Sequence, residues 1–432
     1  MRNDFDAGFT PASASFALTQ ASGEARPATA LAGRDARCHG SAHRPRCAVR
    51  GGGRGKAPAA GAGGSASHDR QGQWAVSARE GLLCHCRPGF EPELAAELQE
   101  RAALAGLPAY ARTERGTALV QLLGEDGDAL SRALPWRGLV FARQKLRLLA
   151  ELDALDPRDR ITPVLAALDR ASCLPFGDVW VEHPDSDAGK PLAALARGFG
   201  NALRPALRKA GLLTPAENPS RPRLHVVFLA GDHALLAVAE PADSAPWPLG
   251  IPRLKLHADA PSRSALKLEE ALLTLLDAGD RARLLRAGMR AADLGAAPGG
   301  WTWVLARQGL RVTSVDNGPL REHVLATGLV EHLRADGFHW QPPRPLDWMV
   351  CDMVEQPRRV AARMATWLRE GWCRQAIFNL KLPMKKRWQE TQLCLALFAE
   401  QAQRPLRIRA RQLYHDREEI TVFAAPDDAR NG

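Results

Sequence analysis

No run of about 18 apolar residues, the length that crosses a bilayer, occurs anywhere in the 432 residues, so nothing here reads as a membrane-spanning helix. The first ten residues, MRNDFDAGFT, carry two acids where a secretory signal needs a basic stretch and then an apolar core, which argues against export. Cysteine is sparse. Eight residues with no CxxC pair and no framework spacing exclude a disulfide-stapled scaffold and fit reduced thiols in a cytosolic protein. Cys84 and Cys86 flank His85 in an apolar run, which reads as a strand alternating its faces. No His/Cys cluster offers a metal site, and no GxxxxGK[ST] segment offers a P-loop. The composition is otherwise ordinary, 45% hydrophobic and 25% charged, which excludes a collagen-like, fibrous or wholly disordered chain.

What the chain has in excess is positive charge. The formal net charge of +10 suggests an anionic partner, and nucleic acid is the commonest one. Half of that surplus lies in residues 1–80, which hold 11 Lys+Arg against 6 Asp+Glu. This segment has 19 Ala and 12 Gly but only 9 residues drawn from Val, Ile, Leu, Met, Phe and Trp. It is expected to be disordered, because it cannot bury enough apolar surface to offset the entropy of ordering. It is a basic tail that could touch RNA, an idle extension, or the product of a start codon assigned too far upstream.

Order is expected from about Gly81. LLCHCRPG reads as a short strand, EPELAAELQERAALAG as an amphipathic helix with acids in its first turn, and 117–124 and 139–152 as further strands. These make a small α+β unit over 81–152. A second unit, 153–245, holds a helix (161–171), a strand (178–186) and a helix over 190–211, expected to break near Gly198 and Gly200 and to kink at Pro205. A hairpin closes it across Gly231-Asp232. Arg197, Arg204, Arg208 and Lys209 lie on the longer helix, either gripping a phosphate backbone or forming a solvated face. A proline-rich linker leads into 246–432. There helices alternate with short apolar strands at 291–295, 311–316, 347–353 and 376–382, the signature of a parallel sheet covered on both sides. The runs 406–414 and 419–425 suggest an antiparallel closing pair.

The strongest local signal is DLGAAPGGWT (293–302), a strand running through Gly-rich sequence into a helix. Gly295, Gly299 and Gly300 allow backbone to approach a ligand in the crevice at the strand ends. The spacing is not the GxGxxG of dinucleotide folds, and Asp293 would repel a pyrophosphate but not a zwitterionic amino acid. Asp316 ends the next strand, placed to accept from ribose hydroxyls. Asp336 follows another apolar run and could receive an adenine amine, and Asp352 ends the strand WMVCD. Three acids at successive strand ends, with the glycines, fit S-adenosylmethionine better than NAD or ATP. Lys381 ends the apolar strand IFNLK, where it either snorkels or serves chemistry. Lys267 in SRSALKLEEA and Glu419 in DREEITV could meet it at one edge of the sheet. PMKKR (383–387) with Trp388 could hold phosphate and stack a base, or simply start a solvated helix.

The segments PSRSALKLEE, DLGAAPGGWT, VDNGP, DGF, CDMVE, FNLKLPMKKR and LYHDREEITV closely resemble the bacterial 23S rRNA (cytidine-2'-O)-methyltransferases of the M type, a branch of the FtsJ-like ribose methyltransferases. The likeness covers roughly 81–432 and leaves 1–80 without a counterpart. It implies an α/β protein: a Rossmann-like S-adenosylmethionine-dependent methyltransferase domain, preceded by an α+β ferredoxin-like and THUMP region that binds RNA and by a disordered tail. It places a Lys-Asp-Lys-Glu tetrad on Lys267, Asp352, Lys381 and Glu419. Donor binding would fall to Ser264, to the turn Ala297, Pro298, Gly299 and Gly300, and to Asp316, Asp336 and Asp352, with no metal. Some relatives have Cys where Ala297 stands, a departure of small effect if backbone groups do the binding.

Lys381 would accept the proton of a ribose 2'-hydroxyl. Its unperturbed pKa of about 10.4 would be lowered by burial and Lys267 and opposed by Asp352 and Glu419. The implied partner is 23S rRNA, naked or in a pre-ribosomal particle, met by a cytoplasmic monomer. The main alternative is a non-catalytic rRNA-binding or assembly factor on the same fold. Amino-group methylation would favour a (D/N)PP(Y/F) segment after the fourth strand, and CDMVEQP stands there instead.

Overall fold

A computed structural model describes residues 75–427 except 172 and 174. The tail expected to be disordered therefore lies, up to residue 74, outside the described residues. Order begins earlier than Gly81, because β1 (Ala75–His85) already pairs with its neighbour from Ala75. Then follow α1 (Glu91–Leu104), β2 (Ala109–Thr113), β3 (Leu119–Gly124), α2 (Gly127–Ala133), β4 (Gln144–Asp153), α3 (Ile161–Arg170), β5 (Asp178–Glu182), α4 (Ala193–Lys209), β6 (Arg223–Ala230) and β7 (His233–Ala239). These seven strands form one sheet in the order β2-β3-β1-β4-β7-β6-β5. The two stretches expected to be separate units thus share a sheet, joined where β4 pairs antiparallel with β7.

Three local readings are corrected. The strand expected over 139–152 starts only at Gln144, because Leu139–Ala142 turn inward as buried loop. Helix α4 runs unbroken through Gly198, Gly200 and Pro205. Ala196, Phe199, Leu203 and Leu207 bury one stripe of it, and that packing outweighs weak local propensity. Of its basic residues, Arg204 is spent internally on Asp178 (2.5 Å) and the Val179 carbonyl (2.9 Å), and Arg208 reaches the Thr214 carbonyl (3.3 Å). Arg197 and Lys209 remain exposed.

The second sheet begins after α5 (Ala265–Thr274) and α6 (Ala278–Leu284). Its elements are β8 (Arg290–Leu294), α7 (Gly300–Arg307), β9 (Arg311–Val315), α8 (Glu322–Leu325), β10 (Val330–Leu333), β11 (Leu346–Cys351), α9 (Pro357–Arg369), β12 (Cys373–Lys381), α10 (Arg387–Ala402), β13 (Leu406–Arg411) and β14 (Glu419–Pro426). The order is β10-β9-β8-β11-β12-β14-β13. The first five strands are parallel, and β14 inserts antiparallel between β12 and β13. The chain starts at β8, works outward to β10, then crosses back to β11. The crevice beyond β8 and β11 is therefore the switch point where open α/β sheets bind ligands.

Strand β12 is buried on both faces, which is why Ala376–Leu380 read as an almost continuous apolar run. On α9, Val360, Ala361, Met364, Ala365, Trp367 and Leu368 recur at helical spacing and bury one face. Burying the Val, Met and Leu side chains among them is worth roughly 1.5–3 kcal/mol each. One apolar cluster runs from Leu82, Leu94 and Phe141 in the first sheet region to Phe378 and Phe398 in the second.

Candidate active site

Four strand ends of the second sheet border one cavity of about 360 Å3. Gly295 follows β8, Asp316 and Asn317 follow β9, Asp336 and Gly337 follow β10, and Asp352, Met353 and Val354 follow β11. Gly295 has φ +76°, and an added Cβ would sit 2.6 Å from Met353 Cγ, so only glycine fits this close approach. Asp316 Oδ2 accepts from Ala297 N (2.9 Å) and Oδ1 from Gly318 N (2.7 Å), tying the Ala297–Gly300 turn to the end of β9. Each oxygen keeps lone-pair capacity. Asp336 is exposed. It accepts from Phe338 N and meets His339 Nδ1, which, with those hydrogen bonds, holds its carboxyl below the ordinary range.

The neighbouring turn is packed rather than open. Gly300 lies so close to Ser264 and Ser262 that an added Cβ would stand 2.1 and 2.6 Å from their hydroxyl oxygens. Ser264 itself meets Ser262 Oγ (2.6 Å), and its carbonyl accepts from Trp301 Nε1 (3.0 Å). Ser264, Ala297, Pro298, Gly299 and Gly300 thus form a wall beside the cavity, whereas the three aspartates and Gly295 line it. Asp293 does not face a ligand. It is buried, accepts from Thr302 Oγ1 (2.7 Å), and burial pushes its carboxyl up to about 7.

The four tetrad residues come from different elements and converge. Lys267 projects from α5, Asp352 follows β11, and Lys381 on β12 stands opposite Glu419 on β14 in antiparallel register. Lys267 Nζ lies 2.5 Å from Glu419 Oε1 and 3.3 Å from Asp352 Oδ2. Lys381 Nζ lies 3.0 Å from Asp352 Oδ1 and 3.5 Å from Glu419 Oε1. Burial alone would lower the Lys267 pKa, but the carboxylates of Asp352 and Glu419 outweigh it and raise it. Burial works against the charge of both carboxylates too, and the two lysines overcome it and hold each below the ordinary range. Lys267 is therefore a fixed cation between two ionised acids. Lys381 is the more exposed of the two lysines, at 25% against 16%.

Other expectations meet a different geometry. Arg387 is buried, donating to Glu418 (2.6 and 3.0 Å) and Glu93 (3.2 Å), and Trp388 donates to Glu100 (2.7 Å). Both join the two sheets and are not free for phosphate or base; Lys385 and Lys386 remain exposed. Cys84, His85 and Cys86 are buried on β1, as the strand reading expects. Among the described residues, Glu151, Asp153 and His233 come within metal-ligand reach of one another, on the first sheet rather than at the tetrad. The sequence reading missed Asn379 and Thr421, which back Asp352. Asn379 Nδ2 donates to Asp352 Oδ1 (2.8 Å) and Thr421 Oγ1 to Asn379 Oδ1 (2.7 Å). Their signal was a polar residue inside each of two buried apolar strands.

The cavity suits S-adenosylmethionine in its donor set. Carboxylates at three strand ends can receive hydroxyl and amine protons, and the glycine approach leaves room for a ligand against the backbone.

Comparison with known proteins agrees. Residues 79–146 match the family model of the RlmM ferredoxin-like domain, and 159–240 that of Ribosomal RNA large subunit methyltransferase M, N-terminal. Residues 260–398 match FtsJ-like methyltransferase. A solved structure, TrmN from Thermus thermophilus, covers 82% of this chain and 99% of its own at 17% identity and a TM-score of 0.31, too loose a likeness to carry an argument. Ribosomal RNA large subunit methyltransferase M of Xanthomonas axonopodis pv. citri (strain 306) is 73% identical over 347 residues, 80% of this chain and 99% of the relative. The protein of that name from Xanthomonas campestris pv. campestris (strain B100) is 73% identical over 344 residues, with the same coverage. At that identity over nearly the whole length of its relatives, the chain belongs to the family of ribosomal RNA large subunit methyltransferase M.

Proposed function

We propose that this methyltransferase transfers the methyl group of S-adenosylmethionine to the ribose 2'-hydroxyl of a cytidine in 23S rRNA, with Lys381 accepting the hydroxyl proton. The observation that carries the reading is that Lys267 and Lys381 each meet both Asp352 and Glu419, and that Asp352 also lines the cavity at the strand ends. A protein that only bound rRNA would have no use for four ionisable groups meeting at such a crevice. S-adenosylmethionine in that cavity would supply a methyl group on a sulfonium, a good leaving group.

The protein's own task is to align the hydroxyl and take one proton, and alignment can supply much of the acceleration. Lys267 stays protonated between Asp352 and Glu419, so it places a fixed positive charge beside Lys381. A lysine accepts a proton only as the neutral amine, so that is the form in which Lys381 would act. Asp352 and Glu419 hold both lysine side chains in place. Exposed Arg197, Lys209, Lys385 and Lys386 supply candidate phosphate contacts. The N-terminal region would thus hold RNA, as the THUMP resemblance implies. We also infer action as a cytoplasmic monomer, on 23S rRNA that is naked or in a pre-ribosomal particle.

Single-turnover transfer to unmodified rRNA, with nuclease mapping and mass spectrometry of the product, tests the reading beside separate donor and RNA titrations. Lys381→Ala should cut transfer at least about 10²-fold with both affinities within a few fold of the parent. Lys381→Arg should not rescue it, because a guanidinium stays protonated. Transfer by Lys381→Arg at the parent rate would make the lysine purely electrostatic. Binding of rRNA without transfer to any hydroxyl, by the parent and both variants, would leave a binding factor.

A further inference from the structure

Behind the tetrad a chain of buried polar groups leads away from Asp352. Asp352 Oδ1 receives Asn379 Nδ2 at 2.8 Å, Asn379 Oδ1 meets Thr421 Oγ1 at 2.7 Å, and Thr421 Oγ1 meets Asp416 Oδ2 at 3.0 Å. Asn379 and Thr421 are fully buried and Asp416 is 1% exposed. Asp416 Oδ2 also accepts from Leu413 N (3.1 Å), while its Oδ1 has no hydrogen-bond partner among the described residues.

Counting protons along this chain fixes its direction. Asp352 lies between two lysines and accepts only. Asn379 therefore turns its NH2 to Asp352 and its carbonyl oxygen to Thr421, because the flipped amide would face oxygen to carboxylate. The single Thr421 proton then goes to Asn379. Toward Asp416 the Thr421 oxygen has only lone pairs. An ionised Asp416 would oppose oxygen to oxygen there and leave a buried negative charge with one backbone donor, Leu413 N. A proton on Asp416 Oδ2 gives Thr421 a donor and still leaves a lone pair for Leu413 N–H.

We propose that Asp416 is a buried neutral carboxylic acid that positions Asp352 through Thr421 and Asn379. It is a positioning residue, three hydrogen bonds removed from Asp352, and this role rests on the reading of the tetrad as the catalytic centre. The surroundings favour the neutral form. Burial, together with the nearby carboxylates of Glu419 on β14 and Glu270 on α5, pushes the carboxyl up to about 8; Lys267 on α5 opposes them. The Arg87 guanidinium touches the Asp416 segment only through the carbonyls of Tyr414 (3.3 Å) and Asp416 (2.7 Å), not the carboxyl. His415 is turned to Glu270 (2.7 Å).

Infrared difference spectroscopy of the full chain tests the protonation directly. Subtracting the Asp416→Asn spectrum from that of the parent at pH 7 should leave a carboxylic-acid carbonyl band, which fades in the parent above about pH 8. Asp293, also buried, is a second possible source of such a band, so Asp293→Asn is subtracted separately. No band lost with Asp416→Asn would mean an ionised Asp416 and would overturn the proposal. Thr421→Val removes the relay's hydroxyl at constant shape and tests positioning. Single-turnover transfer should fall about three- to tenfold, the worth of a hydrogen bond, with donor affinity unchanged. Parent rates in Thr421→Val, with the band present, would equally overturn it. Failure of Lys381→Ala to lower transfer would sink the catalytic reading instead and leave the infrared result standing.

Discussion

A carboxylate at a strand end can serve a ligand, the backbone, or both, and Asp316 holds the backbone while bordering the cavity. Its two oxygens already hold Ala297 N and Gly318 N. Asp316→Ala should weaken S-adenosylmethionine binding by about 1.5–3 kcal/mol, roughly ten- to a hundredfold, the cost of losing a hydrogen bond to a charged group. Asp316→Asn should lose less, since one amide oxygen still accepts. Calorimetry checks both, and unchanged donor affinity in Asp316→Ala would remove this residue from the site. The same comparison shows what single residues disclose. Asp352 and Lys381 stood out in the sequence because buried strands seldom end in charge, while Lys267 on a helix and Glu419 opening a strand lacked that signal and were tied to them by the resemblance. The structure brings all four within hydrogen-bond reach. Asp293 carries the same signal yet points into the core toward Thr302. Alternation places a side chain on a face but does not say whether a hydroxyl waits there. Arg387 and Trp388 looked like RNA contacts because their partners Glu93, Glu418 and Glu100 are remote in sequence.

At the scale of elements, the βα alternation of the second sheet was legible because each strand is a short apolar run between helical patterns. β2 was missed for want of that pattern, and β10 was read only as an apolar run before Asp336: AYART and VEHL are partly exposed and polar. α2 is only seven residues long and is held by its cap, Asp126 accepting from Ala129 N (2.8 Å), more than by any periodic stripe. Glycine misled in one helix and informed in one turn, and the two cases make opposite predictions. Gly198 lies inside α4, exposed, with nothing within 4 Å of an added Cβ. Gly198→Ala should stabilise the protein by about 0.4–1 kcal/mol, through the unfolded chain's lost freedom. Gly295→Ala should destabilise by at least about 1–2 kcal/mol, the cost of a left-handed backbone, and more for the clash with Met353. It should weaken donor binding too. Denaturant melts that shift both variants in the same direction would show that one of the two backbone sites does not behave as described.

The two sheets are bound to each other by more than a linker. α1 and α10 pack together, Arg387 joins Glu93 to Glu418, and Arg411 donates to the Trp136 carbonyl (2.8 Å). Arg87, just after β1, holds the carbonyls of Tyr414 and Asp416 in the loop that leads to Glu419. The N-terminal sheet thus seats the loop that leads into the tetrad's last member, and one apolar cluster crosses between the sheets. A chain of residues 246–432 alone would expose that cluster and leave Arg411, now 4% exposed, without its carbonyl partner. It should melt without a cooperative transition, bind a hydrophobic dye, and transfer no methyl group, despite holding all four tetrad residues. The other end of the molecule gives the contrasting case. Cutting before residue 73 removes only sequence too poor in apolar residues to build a core, and should leave melting and transfer at parent levels. Cutting before residue 81 also removes the pairs of Ala75–Ala78 with Ala150–Asp153, and should lower the midpoint by several degrees. Cooperative melting and methyl transfer by 246–432 would make the second sheet self-sufficient, and Arg87 and Arg387 would then be surface contacts with no part in seating the tetrad.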